Sequence, residues 1–161
     1  MQAPDQPVRK PVTAYLGFGA NLGDARATLI QAMADVAAIP GVTLVSQSSL
    51  YRSAPLASSG PDYVNAVIEV LTTRSAPDLL AELQKLEQLA GRERPYRNAP
   101  RTLDIDVLTY GDARLDSATL IIPHPRLTER AFVLVPLAEI APHLATAAQL
   151  QAVRSQAISR M

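Results

Sequence analysis

The chain has 161 residues, 48% hydrophobic and 19% charged, with a formal net charge of zero and no cysteine. This is ordinary globular composition, enough chain for one domain that buries about 70% of its unfolded surface. It excludes disulfides, thiolate chemistry and zinc sites of the Cys type, and it shows no global charge excess that would draw nucleic acid or an anionic membrane. With no apolar run of about 18 residues and no signal-like apolar core, a cytoplasmic protein with no membrane or nucleic-acid partner is expected.

Residues 1–11 carry Pro4, Pro7 and Pro11 among polar neighbours and read as a flexible tail, leaving 12–161 as a single domain. Val12 to Gly19 is short and apolar, a first buried strand. It runs into Gly17-Phe18-Gly19-Ala20-Asn21-Leu22-Gly23-Asp24, whose spacing is neither a dinucleotide fingerprint nor a P-loop, so a tight strand-to-helix turn is the reading. Asp24 is placed to cap a helix whose apolar positions Leu29, Ile30, Met33, Val36 and Ala37 recur until Pro40-Gly41.

Val42 to Tyr51 reads as a second strand, and the linker from Arg52 to Pro61 is long for a hairpin, which marks it as a functional loop. The third strand, Tyr63 to Thr72, sets Tyr63 and Asn65 on one face. A buried Asn wants partners for both ends of its amide, either a ligand's edge or a neighbouring loop. Ala76 to Ala90 is a helix with Pro77 in its first turn, Gly91 at its end and a Leu79, Leu80, Leu83, Leu86, Leu89 stripe. Gln84 and Glu87 share a different face and meet either a ligand or water.

Arg92, Arg94, Arg97 and Arg101 then crowd into ten residues before a strand from Thr102 to Tyr110. Along that strand Leu103, Ile105 and Val107 face one way and Asp104 and Asp106 the other, the two carboxylates about 7 Å apart. An isolated D-x-D pair is usually a solvated strand face. Beside an arginine run it becomes the parts list for a polyphosphate, since Mg²⁺ takes carboxylate oxygens and guanidinium forks take phosphate. Gly111-Asp112 is a turn, Leu120 to Ile122 a short strand closed by Pro123-His124-Pro125, and His124, Arg126 and Arg130 form a second cationic group. Ala131 to Ile140 reads as a helix interrupted at Pro136, and the remainder to Met161 as one more helix. The order βαββαβ predicts an α+β, ferredoxin-like sandwich, helices on one face of a largely antiparallel sheet, extended by C-terminal elements.

Several stretches together resemble one family. Arg97-Asn98-Ala99-Pro100-Arg101-Thr102-Leu103-Asp104-Ile105-Asp106-Val107-Leu108 is similar to the signature of the 6-hydroxymethyl-7,8-dihydropterin pyrophosphokinases of folate biosynthesis. Ala14 to Gly23, Tyr51 to Leu56, Pro61 to Asn65 and Pro123 to Phe132 resemble that family's opening strand, first substrate loop, pterin strand and late ATP-contacting segment. The resemblance implies a ferredoxin-like fold and ATP-dependent transfer of diphosphate to the pterin hydroxymethyl oxygen, releasing AMP. It implies two Mg²⁺ ions on Asp104 and Asp106, with ATP as co-substrate. Tyr63 and Phe132 would flank the pterin, Asn65 would read its edge, and Ser53, Ala54 and Leu56 would supply backbone contacts. Gln84, Glu87, Arg92, Arg94, Arg101, Val107, Ile121, His124 and Arg130 would touch ATP, with Arg92, Arg94 and Arg101 also meeting the transferred group. A monomer is expected, and no residue stands out as a general base. The chain departs from the pattern at Asn98-Ala99-Pro100-Arg101, where family members often carry Trp-Gly-Pro-Arg. A ferredoxin-like RNA-binding module is disfavoured by the acid pair and the lack of an aromatic RNA-stacking strand motif. A two-metal nuclease would leave the Tyr63 and Asn65 slot idle.

Overall fold

The computed structural model describes residues 9–55, 61–91 and 103–161. Strand β1 (Val12–Ala20) leads into helix α1 (Ala25–Ala37), whose Asp24 cap accepts the Ala27 N–H at 3.1 Å. Next come β2 (Val42–Gln47), β3 (Tyr51–Ser53) and β4 (Tyr63–Thr72), then α2 (Ala76–Gly91) and β5 (Asp104–Tyr110). A two-stranded ribbon, β6 (Leu115–Asp116) with β7 (Ile121–Ile122), precedes α3 (Ala131–Ile140). A 3₁₀ turn at Pro142–Leu144, α4 (Ala147–Ala152) and β8 (Ile158–Arg160) complete the chain.

The main sheet runs β5-β1-β4-β3-β8, every pairing antiparallel, with β2 lying on β4 end to end with β3. The strand order and the α1 and α2 crossovers are those of the expected ferredoxin-like sandwich. The expected second strand is two strands. Ser48 breaks it: its N–H bonds the Val67 carbonyl and its hydroxyl accepts the Val67 N–H, each at 2.9 Å. A buried hydroxyl thus stands in for a backbone acceptor where the chain leaves the ladder.

Alternation along the strands divides the apolar residues between two faces. Leu16, Phe18, Ile68, Val70, Ile105 and Val107 pack against Leu29, Met33 and Val36 of α1 and Leu79 and Leu83 of α2. Tyr15, Val67 and Leu108 pack on the other face against Leu134 and Leu137 of α3 and Val153. The helices are therefore not confined to one face, because the C-terminal extension brings α3 onto the second. Past Leu108 a one-residue bulge resets the alternation of β5, so Tyr110 rejoins the first core.

Two expectations for the C-terminal part are corrected. Helix α3 runs through Pro136, which is buried with Leu134 and Leu137. The proline forgoes one intrahelical bond, and burial of each neighbouring leucine, about 1.5–3 kcal/mol, keeps the helix seated. The last segment is not one helix: after α4 it turns back and adds β8 to the edge of β3, in register Tyr51 with Arg160 and Ser53 with Ile158. Among the described residues no helix is long and apolar enough to cross a membrane.

Candidate active site

The centre of the site is a place where side chains are missing. Gly19 of β1 lies opposite Asn65 on β4 and opposite Asp104 on β5, and Gly17 lies opposite Val67 and Asp106. Cross-strand partners share a face, so the two glycines leave a bare strip of backbone between the amide and the acid pair. Both belong to β1, within the strand expected over Val12 to Gly19; the turn is made further on, where Gly23 adopts φ 58°. Above the strip opens a pocket of about 270 Å³, walled by Tyr63 and Ala54 on one side, Asp104 and Asp106 on the other, and Arg130 and Phe132 from the start of α3.

Each wall has a local cause. Asn65 is 2% exposed, and its Nδ2 donates to the Ser53 hydroxyl at 2.7 Å, which fixes the amide while its oxygen lies toward Gly19. One end of the amide is thus met by a neighbouring strand and the other is aimed at the pocket floor. The Arg130 guanidinium sits 5.3 Å from the Phe132 ring centroid, a cation–π contact that holds both side chains at the pocket mouth. Asp104 is half-buried and Asp106 exposed, on the face opposite the buried Leu103, Ile105 and Val107, as the strand period requires.

A second pocket of about 250 Å³ lies along β5 and shares Asp106 with the first. Val107, Ile121 and His124 line it, joined by Leu80 of α2 and the turn from Ser117 to Leu120. The His124 N–H bonds the Leu108 carbonyl at 2.9 Å, and its Nδ1 accepts the Arg126 N–H at 3.2 Å. In the neutral ring the proton is therefore on Nε2, which points at Asp106 Oδ2 from 3.9 Å.

Of the residues picked out in the sequence, Ala54, Tyr63, Asn65, Asp104, Asp106, Arg130 and Phe132 share the first pocket and Val107, Ile121 and His124 the second. Ser53 stands behind Asn65. Glu87 accepts the Ile105 N–H at 3.0 Å beside the start of β5, whereas Gln84 is exposed on α2 and lines neither pocket. Leu56, Arg92, Arg94, Arg97, Asn98 and Arg101 lie outside the described residues, as does most of the tail. Gly17 and Gly19 escaped the sequence reading. Their signal was the two-residue spacing inside a strand, which removes two side chains from one face.

The chemistry of this donor set fits Mg²⁺. Two carboxylates on one open face suit an ion that keeps sites for water and phosphate oxygens.

Comparison with known proteins bears on this geometry. The sequence profile of 7,8-dihydro-6-hydroxymethylpterin-pyrophosphokinase (HPPK) matches residues 15–142. The chain is 44% identical over 129 residues to the 2-amino-4-hydroxy-6-hydroxymethyldihydropteridine pyrophosphokinase of Synechocystis, covering 80% of this chain and 66% of that one. It is 44% identical over 132 residues to the protein of the same name from Methylorubrum extorquens, covering 81% and 84%. The crystal structure of Plasmodium falciparum HPPK-DHPS with pterin and p-hydroxybenzoate superposes with a TM-score of 0.66 at 14% identity, over 85% of this chain and 41% of that one. That likeness speaks for the fold alone, and this chain spans about two fifths of that longer protein. Profile match, sequence identity and fold agree: the chain belongs to the 7,8-dihydro-6-hydroxymethylpterin-pyrophosphokinase family.

Proposed function

We infer that the glycine-floored pocket is where this pyrophosphokinase works, transferring diphosphate from ATP to the hydroxymethyl group of 6-hydroxymethyl-7,8-dihydropterin in folate biosynthesis. The oxygen of the pterin hydroxymethyl group forms a bond to the β-phosphorus and loses its proton. The bond from that phosphorus to the α,β-bridging oxygen breaks, and AMP leaves. The observation that carries this reading is the single face shared by Asn65, the bare Gly17–Gly19 strip and the Asp104–Asp106 pair. A flat heterocycle on that strip has its edge at Asn65 and its substituent at the acids.

In this reading Tyr63 and Phe132 hold the pterin faces, Asn65 reads its edge, and Ser53, Ala54 and Leu56 border it. The β5 pocket takes the nucleotide through Val107, Ile121 and His124, and Gln84, Glu87 and Arg130 meet it from outside that pocket, Arg130 from the mouth of the first. Arg92, Arg94 and Arg101 meet the transferred group. Asp104 and Asp106 would hold two Mg²⁺ ions, which would supply positive charge against the phosphates. The protein's own residues orient the two substrates, so that attacking oxygen and leaving group lie in line. Residues 12–161 act as one domain, a monomer in the cytoplasm.

The nucleotide product tests this reading. Incubated with ATP, Mg²⁺ and 6-hydroxymethyl-7,8-dihydropterin, the protein is expected to yield AMP and the pterin diphosphate in equal amounts. ADP as product, or no pterin-dependent turnover, overturns it.

A further inference from the structure

Helix α3 carries the Phe132 wall of the pocket, yet its N-cap residue, Arg130, provides no side-chain hydrogen bond to the helix start. The first N–H groups of a helix need acceptors from elsewhere. Here one comes from the far end of the chain. The Gln156 side chain accepts the Ala131 N–H through Oε1 and donates from Nε2 to the Glu129 carbonyl, both at 2.9 Å. One amide thus grips the backbone on either side of Arg130, one residue from Phe132.

The residues that follow hold the opposite wall. The Ala157 carbonyl accepts the Ala54 N–H at 3.4 Å, and β8 pairs with β3 through Ser53. Three consecutive residues, Gln156, Ala157 and Ile158, therefore touch both sides of the slot: Ser53 and Ala54 next to Asn65 on one, the Arg130 and Phe132 corner on the other. This segment lies beyond residue 142, where the family match ends.

We propose that Gln156 is a positioning residue that sets the width of the pterin slot, the C-terminal segment acting as a tie between α3 and β3. The proposal rests on the reading of the pocket as the pterin site. Gln156 touches neither acid nor the second pocket, and of the residues placed with ATP it flanks Arg130 alone, so its loss bears on pterin capture first and on ATP capture much less.

The test compares Gln156→Met, which keeps the length of the side chain and removes both bonds, with Gln156→Glu, which keeps an acceptor for the Ala131 N–H. Steady-state kinetics and equilibrium titration of each substrate are run on the full-length chain. Losing two hydrogen bonds to backbone is expected to raise the pterin KM of Gln156→Met roughly five- to tenfold. The ATP KM and kcat stay within about twofold, and Gln156→Glu falls between Met and wild type. Should Gln156→Met fold poorly, Gln156→Glu carries the same comparison. Equal changes in both KM values, or an unmoved pterin KM with a lowered Tm, would show a purely structural amide and overturn the proposal. Wild-type protein that does not bind the pterin overturns the site reading itself, a result distinct from failure of the variants.

Discussion

Asp106 lines both pockets, and its side chain is 54% exposed, so its value to the molecule is chemical more than structural. Asp104→Asn and Asp106→Asn keep shape and hydrogen-bonding capacity while removing a charge. Each is expected to lower kcat by about a hundredfold, equivalent to about 2.7 kcal/mol of transition-state stabilisation. For the exposed Asp106, folding stability should move by no more than about 0.5 kcal/mol. Kinetics at several Mg²⁺ concentrations check this, and near-wild-type turnover at low Mg²⁺ would remove the acid pair from the chemistry. Gly19 makes the opposite case, a residue that matters by having nothing to offer. Among the described residues, a Cβ there would meet only the Asn65 oxygen, at an ordinary 3.5 Å, so the fold can accept a side chain. Gly19→Val, β-branched and suited to a strand, should therefore fold normally. Its methyl groups fill the floor, and the pterin KM should rise at least about tenfold, by loss of shape complementarity. Unaltered pterin binding in that variant would mean the ring lies elsewhere.

Among the elements, α3, β3 and β8 are joined at a second point, Glu139. Its carboxylate accepts from Tyr51 Oη at 2.6 Å and from the Ser49 N–H and hydroxyl at 3.0 Å, and pairs with Arg160 at 3.4 Å. Arg160 also lies over the Tyr51 ring, 5.8 Å from its centroid. Burial works to raise the Glu139 pKa, but the Tyr51 and Ser49 hydrogen bonds and the Arg160 charge prevail and hold it below the ordinary 4.5. A carboxyl with a depressed folded pKa stabilises the fold above its unfolded pKa. That contribution is lost as pH falls from about 4.5 through the folded value. Tyr51 goes the other way: burial first, then its bond to Glu139, raises it above 10.0. Its contribution is present below 10.0 and is lost as pH rises through the folded value. Glu139→Gln keeps acceptor capacity without the titration. A Tm-against-pH profile should show a shallower acid limb for this variant than for wild type. Identical acid limbs would mean that Glu139 does not couple the three elements to pH.

For the molecule as a whole, the sheet separates the core under α1 and α2 from the core under α3, the helix that builds the Phe132 wall of the first pocket. Leu29 of α1 and Leu134 of α3 are both fully buried, on opposite faces. Truncating either to alanine is expected to cost about 2–5 kcal/mol in urea unfolding, from lost burial plus the cavity left behind. Their effects on function should part. Leu134 sits two residues from Phe132 on the same helix, so Leu134→Ala should raise the pterin KM severalfold, whereas Leu29→Ala leaves it unchanged at temperatures where both variants are folded. Matching KM values in the two variants would refute the division of labour.

The sequence by itself determined what is local and periodic. The apolar runs of β1 and β4, the cap at Asp24, the leucine stripe of α2 and the two-residue alternation that parts Asp104 and Asp106 from Ile105 and Val107 all follow from rules spanning a few residues. The joint resemblance of separate stretches then pointed to the family. What only the tertiary structure decided depends on partners far away in the chain. Gly17 and Gly19 become a pocket floor because β4 and β5 flank β1. The break at Ser48 is set by Val67, and α3 passes through Pro136 because its leucines are held by a sheet. The final residues form a strand and not a helix because β3 offers an open edge and Glu139 a partner for Arg160. Gln156 looks like any polar residue in a weakly patterned segment. Its meaning comes from Ala131 and Glu129, 25 and 27 positions earlier, brought to it only when the C-terminal extension closes on the second face of the sheet.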